Sequence, residues 1–178
     1  MKNKSKSEKL SRKAELLADK FNKGVNEIIN KPEFAEYFYE ITPQKKEGVR
    51  EEILGFTTHA LPILLRMNGY LQNPEEVGGF VEQFVDRVGG LNNSLFERIE
   101  EYRNLDRQRG DALSSATQIH FAKRLSSVLL GSESEDGEVL LGLSDLGTLF
   151  LMNFITPTLT EAFYNQAREG NKKWWFWR

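Results

Sequence analysis

Four of the five prolines stand where helices begin. Each follows a cap or turn residue and opens an apolar-periodic segment: Lys31-Pro32-Glu33, Thr42-Pro43, Asn73-Pro74-Glu75-Glu76 and Thr156-Pro157. Proline donates no backbone hydrogen bond, a loss that costs nothing in the first helical turn and a great deal elsewhere. Asn73 with Glu76 and Ser94 with Glu97 add the spacing of capping boxes. Between these starts the apolar period is helical. Leu10, Ala14, Leu17, Phe21, Gly24 and Ile28 alternate steps of four and three, and Leu16, Val25 and Ile29 widen the stripe into that of a bundle helix. No segment alternates with period two beside turn chemistry, so no sheet is expected.

The other segments extend this pattern. A short helix from Pro32 to Ile41 sets Phe34, Tyr37, Phe38 and Ile41 on one face. The next runs from Pro43 to about Leu71, kinked or broken at Pro62. Val77-Gly78-Gly79-Phe80 and Val88-Gly89-Gly90-Leu91 bracket a fourth, the glycine pairs flexing or ending it. Ser94 to Arg109 carries only the narrow stripe Leu95, Ile99, Tyr102 and Leu105, which places it at the surface. A sixth helix follows Gly110-Asp111 and ends at Leu130.

Glu133 to Glu138 reads as a solvated acidic loop, followed by helices Asp145–Ile155 and Pro157–Glu169 joined at Thr156. The expectation is an all-α protein, a single irregular helical bundle of about six to eight helices over residues 1–170. Residues 1–8 would be a frayed basic N-terminus, and Asp145–Ile155 a buried core helix. With 178 residues the chain can bury about 70% of its unfolded surface and needs no staple.

Catalytic and cofactor signatures are not found. There is no cysteine, no GxxxxGK[ST], no GxGxxG after a strand and no GxSxG elbow. His59 and His120 both border apolar faces, with no carboxylate or second histidine at helical ligand spacing. Glu97, Glu100 and Glu101 interleave with Arg98 and Arg103, the pattern of a self-compensated exposed face. No catalytic residue, metal or cofactor is therefore expected, and the chain is read as non-enzymatic. The missing cysteines and the lack of an apolar signal behind the N-terminal lysines fit a cytoplasmic protein. Val139 to Ile155 falls short of a membrane span, so a soluble chain is expected.

Two basic regions remain. Lys9, Arg12 and Lys13, with Arg103, Arg107 and Arg109, could contact phosphates, but no nucleic-acid-binding motif accompanies them. The C-terminal segment Lys172, Lys173, Trp174, Trp175, Phe176, Trp177 and Arg178 holds every tryptophan in the chain. Gly170-Asn171 stops the last helix before it. Trp and Arg dominate binding hot spots, so this tail is read as a docking motif for a protein partner or for another copy in a homo-oligomer. Packing on its own bundle competes closely with that reading. A nucleic-acid-associated subunit is the alternative, and a membrane surface touched by the tail comes third.

Overall fold

The computed structural model describes residues 2–31 and 41–165, and every regular element among them is helical. Helix α1 spans Lys2–Ile29, α2 Pro43–Met67, α3 Pro74–Val88, α4 Asn93–Arg109 and α5 Ser115–Leu130. The last helix, α6 (Gly137–Phe150), runs on through a π-helical turn at Leu151–Ile155, an α turn at Thr156–Thr160 and a second π turn at Glu161–Asn165. Together these form one C-terminal rod. The all-α architecture expected from the sequence is the one observed. The proposed helix face of Phe34, Tyr37 and Phe38 lies outside the described residues, as does the whole segment Lys172 to Arg178.

Caps explain most of the boundaries. Thr42 accepts a hydrogen bond from the Lys45 N–H and Asn73 one from the Glu75 N–H, each just ahead of a first-turn proline. Several sequence expectations need correction. Ser94 does not cap α4: Asn92 does, accepting from the Leu95 N–H at 2.7 Å, and Ser94 lies inside the helix. Gly78-Gly79 does not end α3, which passes through both and stops at Gly89, where φ is +144°. Thr156-Pro157 does not start a separate helix. The π turn immediately before it widens the backbone where the proline ring would otherwise press on the preceding turn, so the rod continues. In α2 the helix likewise runs past Pro62 to Met67.

Two rings organise the core. Phe21 of α1 meets Phe84 of α3 and Phe150 of α6 edge-on, at centroid distances of 5.6 and 5.5 Å. Phe56 of α2 meets Tyr102 of α4 at 5.8 Å and Phe121 of α5 at 4.7 Å. The bundle is thus two triplets, α1–α3–rod and α2–α4–α5, with the rod also packed along α5. Its Gly147 brings it close enough that an added Cβ would stand 2.7 Å from the Phe121 ring. Arg50 ties the triplets together, donating to the Asn22 side chain and to the Val88 carbonyl at 2.8 and 2.7 Å.

The rod is not the fully buried helix the sequence suggested. Leu143, Gly147, Phe150, Leu151 and Ile155 face inward, whereas Leu141, Asp145, Leu149, Met152 and Asn153 are exposed. Because it runs through Pro157, the segment Gly137–Tyr164 has 28 residues, long and apolar enough by length and composition to cross a membrane.

Candidate functional site

Two regions of this frame carry chemistry: a polar cluster inside the α2–α4–α5 triplet and the outer face of the C-terminal rod. Asp106, near the end of α4, anchors the cluster. Its carboxylate accepts from the Leu113 N–H at 2.9 Å, the Ser114 N–H at 3.1 Å and the Thr117 hydroxyl. It also sits 2.8 Å from Nε2 of His59 on α2, and the two side chains are only 11% and 4% exposed. One carboxylate thereby fixes the α4–α5 loop, where Leu113 is held at a φ of +53°, and the first turn of α5.

Burial pushes the His59 pKa below its ordinary 6.5, against the pull of the Asp106 hydrogen bond and charge. Burial alone would raise the Asp106 pKa, but hydrogen bonds from Thr117, Leu113, Ser114 and His59 outweigh it and hold the carboxyl below the usual 3.8. A neutral His59 donating to an ionised Asp106 satisfies both groups.

A second set of ion pairs lies alongside. Glu52 of α2 is 2% exposed and held between Arg98 of α4, at 2.9 Å, and Arg124 of α5, at 3.0 Å. Arg98 also reaches Glu51 at 2.9 Å, and Arg124 reaches Glu101 at 3.0 Å. Glu101 in turn stands 3.1 Å from Nε2 of His120. Between the two histidines lies Tyr102, fully buried, with its ring 5.7 Å from each and its hydroxyl unpaired; burial pushes its pKa up. Of the charged face expected on α4, only Arg103–Glu100 pairs as read; Arg98 and Glu101 turn to other helices. Sequence spacing missed this cluster, because every link except Arg103–Glu100 spans more than a helical turn.

An open groove of about 600 Å³ adjoins the cluster, lined by Leu105, Arg109, Ser114, Ser115, His120 and Lys123 among others. His59 is not among the residues that line it; its contact with Asp106 ties α2 to the end of α4. Among the described residues no group of three or more His, Asp or Glu could hold a metal ion.

The basic residues singled out in the sequence do not form one surface. Lys9 and Arg12 are exposed on α1, but Lys13 turns inward over the Phe163 ring at 3.9 Å. There burial, with the Lys9 charge beside it, lowers its pKa. Arg103, Arg107 and Arg109 are exposed on α4, which packs on α2 and α5 and so belongs to the other triplet.

The rod's outer face presents Leu141, Leu149 and Met152, at 67%, 53% and 62% exposure, beside exposed Glu138, Asp145 and Glu161. No lysine or arginine occurs from Gly137 to Asn165. At its far end the rod is fixed by Tyr70, which stacks on Phe163 at 5.3 Å and shares a 2.8 Å hydrogen bond with the Thr160 hydroxyl. Tyr70 thus anchors the far end of the rod, and the segment that carries the tryptophans follows later in the sequence. No family model, no curated protein and no solved structure matches this chain, so its function is argued from these residues themselves.

Proposed function

We propose that this is a non-enzymatic interaction protein, an adaptor, regulator or assembly subunit, whose segment Lys172 to Arg178 docks on a protein partner or on another copy. One observation carries the reading: an anchored rod leaves Leu141, Leu149 and Met152 in solvent, and a segment with three tryptophans follows the rod in the sequence. Exposed apolar residues on one element, with aromatic and basic residues following in the sequence, are the composition of an interface. The polar cluster supports the same reading from the other side. Its charges are spent on each other, and they stiffen the α2–α4–α5 triplet as a scaffold.

The test is deletion of residues 171–178. The melting temperature should stay within a few degrees while a complex co-purified from the native host is lost. A large fall in helicity on deletion would assign the tail to the bundle's own packing and end the docking reading. Moderate salt should barely weaken the complex, since apolar docking is little screened, whereas phosphate binding falls steeply with ionic strength. The length of the rod favours a second reading, contact with a lipid surface through the rod and tail. Against it stand Glu138, Asp145 and Glu161, which an anionic surface would repel.

A further inference from the structure

Asparagine is followed by glycine once in the chain, at Asn68-Gly69. The pair closes α2 at an exposed position, and the next residue is Tyr70, the anchor of the rod. With no Cβ on Gly69, its main-chain nitrogen can come closer to the Asn68 side chain than that of any bulkier residue. We infer that Asn68 is a site of spontaneous deamidation, and that the change unhooks Tyr70 from the C-terminal rod. The site owes nothing to where Lys172 to Arg178 docks.

The chemistry needs only water. The Gly69 nitrogen gives up its proton and attacks Cγ of Asn68. A succinimide ring closes as the Cγ–Nδ2 bond breaks, and ammonia leaves with that proton. Water then adds at Cγ, leaving aspartate, or at the Asn68 main-chain carbonyl, leaving isoaspartate, through whose side chain the backbone now runs. The folded cap holds the reacting groups apart. Asn68 Nδ2 donates to the Leu64 carbonyl at 2.9 Å, and the Gly69 N–H donates to the Arg66 carbonyl at 3.0 Å. With Asn68 at a ψ of 4°, the Gly69 nitrogen is rotated away from the Asn68 Cβ. These restraints lie in the last, exposed turn of a helix, where local opening costs far less than global unfolding. Opening of the cap therefore sets the rate.

Either product spoils the cap. Aspartate loses the donor to the Leu64 carbonyl and sets a negative charge at the C-terminal end of α2, against the helix dipole. Isoaspartate also adds a backbone carbon ahead of Gly69. There a φ of +69° turns the chain so that the Tyr70 and Leu71 N–H groups meet the Leu65 carbonyl, at 2.9 and 3.3 Å. Displaced by a bond length, Tyr70 cannot keep both its stack on Phe163 and its 2.8 Å hydrogen bond to Thr160. The end of the rod retains Phe80 and Lys13 against Phe163 but loses its tie to α2.

Ageing the native full-length chain at mildly alkaline pH, followed by peptide mapping, tests the site. Trypsin cuts after Arg66 and Arg87, so the peptide of residues 67–87 isolates it. The other asparagine there, Asn73, precedes a proline, which has no N–H to attack with. Asn68 should convert ahead of every other asparagine, and urea should hasten the conversion by opening the cap. Ion exchange separates the aged fraction by its added negative charge. In that fraction amide hydrogen exchange should quicken several-fold over residues 156–164, with α4 and α5 unchanged. The variant Asn68→Asp, made directly, should lower Tm by about 3–6 °C.

An Asn68 that stays intact in the folded chain, and converts only in urea, would show the cap proof against the reaction and overturn the proposal. So would a converted chain whose rod exchanges no faster, because Tyr70 would then still hold it. An Asn68→Asp chain as stable as the native one would remove the cause of the unhooking and count equally against it.

Discussion

Asp106 does at one carboxylate what several caps would otherwise share. It holds a loop, a helix start and a buried histidine, and its partners come from α2, the α4–α5 loop and α5. The pH dependence follows. Unfolded His59 takes up a proton near its ordinary 6.5, while the folded protein resists it. Stability is full above that value and is lost as the pH falls below it. Asp106 acts with the same sign lower down, its contribution present above 3.8 and lost as its depressed pKa is crossed. Thermal melts from pH 7.5 to 4.5 should therefore fall in Tm, and His59→Gln should flatten the part of the slope between pH 7 and 5. An unchanged slope would place the acid sensitivity elsewhere. None of this was legible in the sequence: pairing of either histidine with a distant acid leaves no periodic trace, and His59 and Asp106 stand 47 residues apart.

Helix starts were far more readable, because caps are local. Thr42-Pro43 and Asn73-Pro74 open α2 and α3 as their chemistry dictates. Where reading failed, a second local device had intervened: Asn92 took the cap from Ser94, and a π turn absorbed Pro157. Glycine roles divide in the same way. Within α3, nothing lies within 4 Å of a Cβ added at Gly78, whereas one at Gly147 meets the rings of Phe121 and Phe56. Gly78→Ala should then stabilise by about 0.5–1 kcal/mol through helix propensity. Gly147→Ala should cost about 1–3 kcal/mol, because Phe121 is fully buried and has little room to yield. Urea midpoints at constant slope would measure both, and equal effects would contradict this division.

At the scale of the whole molecule, the helical period gave the inward faces of α1 and α4 but not what remains outside on the rod. The sequence marked Asp145–Ile155 as core; the structure leaves Asp145, Leu149, Met152 and Asn153 of that segment exposed. Periodicity identifies which side is apolar, and a helix apolar nearly all round leaves the choice to its neighbours. The absence of cations from the rod has a further, practical consequence. From Leu125 to Ala167 the chain offers trypsin no cleavage site, and the next sites are Arg168, Lys172 and Lys173. Digestion should therefore release the tryptophans while leaving residues 125–167 in one piece, so that tryptophan emission is lost with the rod uncut.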